Sequence, residues 1–393
     1  MPRQYNDPAG GDESQVGTQI RTDVYEKRAL IELKKTQFFG QLANVKSMPK
    51  NMGKTMKMYH YLPLLDDENI NDQGIDANEA TNGGLNDNGN LYGSSKDVGS
   101  IPGKMPVLSE SGGRVNRVGF KRKEIEGSIS KFGFFDEYTQ ESLDFDSDAD
   151  LYMHINREML NGAGEITEDL LQIDLLMSAG IVKYAGAATS DVEVDETSVV
   201  TYDDLLRLSI DLDNNRTPKQ TKVITGTRMV DTKTIAGGRV MYVGSEMQPT
   251  IEAMVDLHGN QAFIPIQKYG AGGTILPGEI GTVGYFRIVV VPEMMKFEGA
   301  GGDASDTSTH YETGTKYDVF PMLVVGDASF STIGFQTDGK TVKFKIKHSR
   351  PGSEASYALD PYGETGFMSI KWFYGFLLER AERIAMIKTA ATL

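Results

Sequence analysis

The most regular pattern of apolar positions lies between residues 146 and 180. Ile166, Leu170, Ile173 and Met177 are spaced so that all four fall on one face of a helix. Apolar residues upstream of them extend the same signal. The pattern predicts one long helix, or two consecutive helices, in this part of the chain.

Two shorter helices and a series of strands are predicted downstream. Thr201 and Asp204 form a capping box for a helix over 202–213, and a Ser-Glu-Met-Gln-Pro start signal precedes a helix over about 246–258. The C-terminal segment alternates apolar and polar residues, and then becomes ambiguous between helix and strand. The runs that predict strands are 222–226, 238–244, 282–293, 318–326 and 341–348.

The N-terminal third of the chain is organised differently. Residues 1–20 are polar and predict an arm, and the pattern of Thr22–Gln37 predicts a helix. Two extended runs, 55–65 and 114–130, then enclose about fifty residues without an apolar period, which is uncommon inside a compact domain. We therefore expect a two-stranded arm with a large insertion at its tip. Such an arm is only marginally stable in water by itself, so we expect it to lie on a partner.

Charge changes sign along this predicted arm. Four lysines are interleaved with four methionines between Phe38 and Leu65, where no acidic residue occurs, whereas six acidic residues follow within 66–79. Opposite charges on two copies can steer and register an interface, although solvated loop residues would give the same pattern. The candidate inter-subunit contacts are Lys46, Lys50, Lys54, Lys57, Asp66, Asp67, Glu68, Arg114, Arg117, Lys121, Arg122 and Lys123.

Composition narrows the classes of protein that remain. The 393 residues predict two to three structural units at about 150 residues each. A net charge of −15 argues against a basic nucleic-acid or membrane-binding surface, and the lack of cysteine excludes disulfides and thiolate sites. There is no apolar run of the roughly 20 residues that a membrane span needs, and no apolar signal-peptide core at the N-terminus. We expect a soluble, acidic protein made in the cytoplasm.

Motifs for catalysis or cofactor binding are weak. The Gly-Lys-Thr at 53–55 resembles the end of a phosphate-binding loop, but Met48 stands where its first glycine belongs. The acidic run 144–150 lacks the glycine and glutamate that a calcium loop needs. The five histidines show no metal-ligand spacing. We therefore expect no catalytic, metal or cofactor site, and association rather than enzymatic chemistry as the function.

The order of elements resembles the major capsid proteins of tailed phages, which have the HK97 fold, and more specifically those of the N4-like podophages. The resemblance covers about 40–393. The segments that carry it are 179–186 after the long helix, the strand motifs 278–294 and 318–330, and the tail-end segment 360–375, which is the most specific of them.

The resemblance implies an α+β capsid fold with a particular division of the chain. Its parts are an N-terminal arm over 1–45, an extended β-hairpin loop with an acidic Gly/Asn-rich insertion over 46–130, a peripheral domain with a long spine helix over 131–221, an axial domain over 222–344, and a C-terminal segment over 345–393 that returns to both domains.

The resemblance also implies a function. The chain would be a major capsid protein, made in the host cytoplasm and located in the virion, where pentamers and hexamers form an icosahedral shell. The shell would enclose double-stranded DNA without sequence-specific binding or membrane contact. The implied partners are further copies of the chain, a separate scaffolding protein, a portal protein and a decoration protein. The alternatives are an encapsulin-like compartment shell protein and, more remotely, a soluble metal-dependent hydrolase.

Overall fold

The computed structural model of the chain describes residues 3–4, 15–16, 38–49, 51–61, 122–145, 151–224, 232–235, 237–270, 275–304, 309–335, 345–352 and 362–393. Most of the expected arm over 1–20, the expected helix over Thr22–Gln37 and the acidic insertion over 66–113 lie outside the described residues.

Within the described residues the structure has four α-helices and nineteen strands. The helices are α1 (Gln140–Phe145), α2 (Leu151–Met177), α3 (Tyr202–Asn214) and α4 (Gln248–Glu252). The strands are β1 (Arg3–Gln4), β2 (Gln15–Val16), β3 (Asn44–Met48), β4 (Thr55–Tyr61), β5 (Arg122–Thr139), β6 (Ile181–Tyr184), β7 (Thr221–Ile224), β8 (Thr232–Ile235), β9 (Arg239–Gly244), β10 (Phe263–Pro265), β11 (Glu279–Val283), β12 (Phe286–Val291), β13 (Glu312–Thr313), β14 (Lys316–Tyr317), β15 (Phe320–Val325), β16 (Phe330–Phe335), β17 (Lys345–Ser349), β18 (Thr365–Leu378) and β19 (Ile384–Thr389).

One large sheet has seven strands, in the order β10-β11-β12-β9-β15-β19-β6. Its central strands β9, β15 and β19 are short and mostly apolar, and every residue in them is buried, including Arg239, Lys388 and Thr389. Largely apolar runs of this kind are typical of strands covered on both faces. Two of the pairings, β12 with β9 and β19 with β6, are parallel.

The second large sheet has the order β3-β16-β18-β5-β4, and β17 also pairs with β18. Its longest strands are β5 and β18, which pair antiparallel from Thr365↔Thr139 to Gly375↔Ile129. Met368, Ile370, Trp372 and Tyr374 are buried in alternation along β18. This period of two is that of a strand. The segment after it, which the sequence left ambiguous, continues β18 to Leu378 and then forms a 3₁₀ turn and β19.

Each large sheet takes strands from several segments of the chain. Strands β6 and β19, from the segments 131–221 and 345–393, both join the seven-stranded sheet. Strand β16, from the segment 222–344, joins the second sheet. The expected division of the chain into arm, extended loop, peripheral domain, axial domain and returning C-terminal segment stays a prediction.

Two cores lie on opposite sides of the seven-stranded sheet. The first contains Leu171 and Leu175 of α2, Trp372 of β18 and Leu323 of β15, so it joins this helix to both sheets. The second lies under α3 and α4, with residues such as Leu208 contributed by α3. The seven-stranded sheet is therefore covered on both faces.

The shorter helices differ in how well the sequence predicted them. For α3 the prediction is confirmed, because Thr201 and Asp204 form the expected capping box. For the helix over 246–258 it is wrong in length: a 3₁₀ turn leads into α4, which ends at Glu252. The carboxylate of Asp256 accepts hydrogen bonds from the backbone amides of His258 and Asn260. These hydrogen bonds favour a turn over continuation of the helix.

Candidate functional site

Buried charged groups in the described residues form structural contacts. Glu279 is buried and accepts two hydrogen bonds of 2.7 Å from Arg287, one from Nε and one from Nη2. The backbone amide of Leu276 and the hydroxyl of Tyr269 complete its partners, at 2.9 and 2.8 Å. Burial, followed by the bond to Glu279, raises the pKa of Tyr269. This buried and fully hydrogen-bonded ion pair links strands β11 and β12.

The described part of the chain has no group of three or more His, Asp or Glu side chains placed to hold a metal ion. Its helices include none with the length and apolar character needed to cross a bilayer.

The first candidate surface is the hairpin of β4 and β5. The two strands pair antiparallel from Thr55↔Ser128 to Tyr61↔Arg122, which confirms the predicted pairing of the two extended runs. Residues directly opposite each other share a face of such a ladder. Met56, Met58 and Ile125 are half-buried on one face.

The other face of the hairpin is exposed and charged. Lys57 Nζ lies 2.6 Å from Glu124 Oε1 and 2.5 Å from Glu126 Oε1. The hydrogen bond from Lys57 lowers the pKa of Glu124. The hydrogen bonds to Glu124 and Glu126 together raise the pKa of Lys57. The Arg122 guanidinium lies 4.3 Å from the ring centroid of Tyr59. Two of the predicted contact residues, Lys57 and Arg122, thus have partners within their own hairpin.

The remaining predicted contact residues fall into three groups. Lys46 is half-buried and donates to Glu379 Oε1 at 2.6 Å, within the same chain. Lys54 is exposed, and Lys123 lies in β5 opposite His60. Those outside the described residues are Lys50, Asp66, Asp67, Glu68, Arg114, Arg117 and Lys121. An inter-subunit role for all twelve residues stays a prediction.

The second candidate surface is the apolar stripe of α2, which we define as Ile166, Leu170, Ile173 and Met177. The sequence pattern placed these residues on one helix face, and three of the four are exposed: Ile166 is 43%, Ile173 is 36% and Met177 is 83% exposed. Leu170 is half-buried and packs against the first core. Exposed apolar residues this close together are a candidate interaction surface.

The opposite face of α2 is buried although part of it is polar. Thr167 donates to the carbonyl of Ala163, and Gln172 Nε2 contacts the sulfur of Met294 at 3.0 Å. Glu168 is also buried, and its carboxylate accepts hydrogen bonds from the backbone amides of Phe39 and Gly40, at 3.1 and 3.2 Å. Specific partners therefore allow these polar groups to be buried while Ile166, Ile173 and Met177 of the apolar stripe stay exposed.

Glu168 also fixes where the N-terminal part of the chain enters the structure. A Cβ at Gly40 would lie 2.6 Å from Glu168 Oε1, so a larger residue there would displace the carboxylate. The hydroxyl of Tyr242 donates to the carbonyl of Phe38 at 2.9 Å. Residues 38–40 are thereby anchored between α2 and the seven-stranded sheet. Sequence reasoning missed Glu168, because a single acidic residue in a helix gives no signal of burial.

Comparison with known proteins decides what kind of molecule carries these surfaces. A family model described as "Phage capsid protein" matches residues 122–351. The major capsid protein of Pseudomonas phage KPP21 is 62% identical over 393 residues, covering 100% of this chain and 98% of that protein. The chain belongs to the phage capsid protein family. The predicted family is thus confirmed at this level.

Solved capsid structures agree with the observed fold. The capsid structure of Ralstonia phage GP4 matches with a TM-score of 0.54 at 11% identity, covering 99% of this chain and 98% of that one. The capsid structure of cyanophage P-SCSP1u matches with a TM-score of 0.51 at 12% identity, covering 96% of both chains. At such low identity the match concerns the fold, and it confirms the expected α+β, HK97-like capsid fold. The exposed surfaces described above are therefore surfaces of a capsid subunit.

Proposed function

We propose that this capsid protein is the repeating subunit of an icosahedral phage head, in which pentamers and hexamers enclose double-stranded DNA. Its family membership establishes a major capsid protein of the virion. Capsid proteins assemble into lattices, and this supports the proposal that copies of the chain contact one another. The finer arrangement into pentamers and hexamers is what the HK97-like fold leads us to expect.

The observation that best supports assembly is the exposure of Ile166, Ile173 and Met177 in the apolar stripe of α2. Burying one such side chain completely contributes about 1.5–3 kcal/mol, so these three offer substantial stabilisation to an interface. In a shell the same contact recurs in every subunit. Modest interfaces can therefore hold the shell together when each copy repeats them.

The hairpin supports the same proposal. Among the described strands, β4 lies at the edge of its sheet and pairs with β5 alone. Exposed edges and two-stranded arms are weak features in a monomer, because nothing covers their backbone groups and side chains. A neighbouring subunit beneath or beside the hairpin would remove both weaknesses.

Other partners of the shell belong to the proposal as well. A separate scaffolding protein would guide assembly, a portal protein would occupy one vertex, and a decoration protein would bind outside. The enclosed DNA would be held without sequence-specific contacts. Resemblance to the N4-like podophages motivates these partners, and membership of that group stays a prediction.

The test compares assembly of two variants of the apolar stripe. Ile173→Glu with Met177→Glu places charges on the stripe and is expected to abolish closed shells, while the subunit stays folded because both positions are exposed. Negative-stain electron microscopy and sedimentation measure shell formation, and circular dichroism measures folding.

The matched control is Ile173→Leu with Met177→Leu, which keeps the stripe apolar and is expected to assemble normally. Normal shells from the charged variant would remove the stripe from the assembly contacts. A wild-type chain that stays monomeric, with and without its phage neighbours, would contradict the proposed shell function itself.

A further inference from the structure

The surface of α2 beside its apolar stripe is acidic. Glu158 is exposed and Glu165 is half-buried. These two residues are seven positions apart, which is two turns of a helix, so they lie along the same side of the stripe. Within the described part of the chain, no ion pair neutralises either carboxylate. We call Glu158 and Glu165 the acidic flank.

The sequence around the stripe supplies no cation to the acidic flank. Between Arg157 and Lys183 there is no lysine, arginine or histidine. Lys183 pairs with Asp211 at 3.0 Å. The last turn of α2, which contains Met177, has no basic residue, so the negative end of the helix dipole adds to the acidic character of this surface. A molecule that covers the stripe therefore has to bring the cations itself.

The stripe has the spacing of a coiled-coil seam. Its four residues follow one another at intervals of four, three and four positions, as alternating seam residues do. A second helix laid along this seam would cover the three exposed apolar side chains of the stripe. The residues beside the seam of that second helix would face Glu158 and Glu165. Lysine or arginine suits these positions, because opposite charges beside a seam select the partner.

The described helices of a second copy do not have this composition. The helix α2 of another copy would bring the same acids. The helix α3 contains four aspartates and one arginine. The sequences of α1 and α4 contain neither lysine nor arginine. Pairing α2 with any of these helices would leave the acidic flank without counter-charges.

The exposed lysines of the second sheet are also poor partners for a shell. Lys131, Lys347 and Lys371 lie on the face of this sheet that is turned away from α2. Contact between these lysines and α2 of another copy would join opposite faces of the subunit. Such a contact stacks copies on one another and produces an open fibre, whereas a shell needs contacts that close.

We propose that the apolar stripe and the acidic flank of α2 bind a basic amphipathic helix of a separate scaffolding protein. The inference rests on the proposed shell function, in which such a protein guides assembly, and it states the chemistry of their contact. The partner helix places apolar residues on the stripe and lysine or arginine opposite Glu158 and Glu165. The scaffolding protein can cover this surface because it is not itself a subunit of the lattice.

Binding of two synthetic helices to the full-length subunit tests this chemistry. Both peptides carry the same leucine seam, and one has lysines and the other glutamates beside it. Fluorescence anisotropy is expected to show that the lysine peptide binds at least about tenfold more tightly. Glu158→Lys with Glu165→Lys is expected to weaken binding of the lysine peptide by a similar factor, and so is Ile173→Ser with Met177→Ser. Equal affinity of the wild-type subunit for both peptides would overturn the inference.

The matched control separates a local effect from that of net charge. Glu196→Lys with Glu312→Lys changes the net charge by the same amount at two exposed positions elsewhere. This variant is expected to bind the lysine peptide as the wild type does. Equal weakening in the control and in Glu158→Lys with Glu165→Lys would mean that net charge alone attracts the peptide, and would overturn the inference.

Other occupants of the stripe give different results. The predicted helix over Thr22–Gln37 of the same chain also carries lysines, two of which are removed by Lys34→Glu with Lys35→Glu. This variant is expected to bind the lysine peptide as the wild type does, and tighter binding would assign the stripe to that segment. Self-association of the wild-type subunit that is lost in Ile173→Ser with Met177→Ser, measured by sedimentation, would assign the stripe to a second copy. Either result would overturn the inference.

Shell formation provides the last readout. In cells that also make the scaffolding protein, Glu158→Lys with Glu165→Lys is expected to lower the yield of closed shells by at least about tenfold, because every copy repeats the defect. Normal shells from this variant would overturn the inference and leave the shell function intact. A wild-type chain that forms no shells but prefers the lysine peptide would contradict the shell function and still support the binding surface.

Discussion

The two large sheets of this capsid protein solve the problem of burial in different ways. The seven-stranded sheet is covered on both faces, and its central strands are completely buried. The second sheet is covered by α2 on one face. On its other side Lys131, Lys345 and Lys371 are exposed, and so is the charged face of the β4–β5 hairpin at its edge. The first sheet is complete within one subunit, whereas the second presents surfaces that become useful only when copies meet.

The largest effect is expected in the ion pair of the seven-stranded sheet. Glu279→Ala leaves Arg287 buried without its carboxylate, and breaking a buried pair in this way costs about 3–5 kcal/mol. Urea unfolding of the isolated subunit measures the loss. Glu298→Ala, which removes an exposed partner of Lys296, is expected to change stability by less than about 0.5 kcal/mol. Equal losses in both variants would contradict the contrast between buried and exposed pairs.

A second comparison removes apolar side chains from the two sheets. Leu323→Ala creates a cavity in the core of the seven-stranded sheet and is expected to cost about 2–5 kcal/mol of unfolding free energy. Phe135→Ala, on the exposed side of the second sheet, is expected to change subunit stability by less than about 0.5 kcal/mol. Urea unfolding of both variants measures the difference. A large loss in Phe135→Ala would mean that this face already stabilises the lone subunit.

The smallest effect concerns the dependence of stability on pH. Burial opposes ionisation of Asp318, but the hydrogen bonds from Lys296 Nζ at 2.8 Å and from the Gly299 amide at 2.9 Å lower its pKa. A lowered pKa stabilises the fold above the unfolded value, near 4, and this stabilisation is lost as the pH falls through the folded value.

Asp318→Asn is therefore expected to reduce stability at neutral pH and to flatten its decline below about pH 4, measured as the thermal midpoint against pH. Glu124→Gln in the exposed hairpin is the matched control and is expected to leave the midpoint unchanged, because solvent screens its pair with Lys57. The same acid response in wild type and Asp318→Asn would contradict the assignment to Asp318.

Several features of the fold could be predicted from local sequence. The capping box at Thr201 fixed the start of α3, and the period of the apolar positions identified α2 as a long helix. Runs of β-branched and aromatic residues located most of the strands, and the extended runs around the insertion predicted the hairpin. These features depend on residues close together in the chain, so their spacing is sufficient.

The contact partners were harder to predict. Lys46 pairs with Glu379, and Lys57 pairs with Glu124 and Glu126, all within one chain. The sequence predicted neither pair, and the expected contact of these lysines with another copy stays a prediction. Glu379 is more than three hundred residues away from Lys46 in sequence. Nothing in the local pattern connects two residues so far apart.

The sequence by itself determined that α2 is a helix with an apolar stripe, that a hairpin precedes it, and that the chain resembles capsid proteins. Tertiary structure alone decided that three of the four stripe residues are exposed and that Glu168 is buried. It also brought together lysines from three distant segments on one face. The physical reason is that local spacing sets the period of a helix or strand, whereas long-range pairing and packing decide which of its faces is covered.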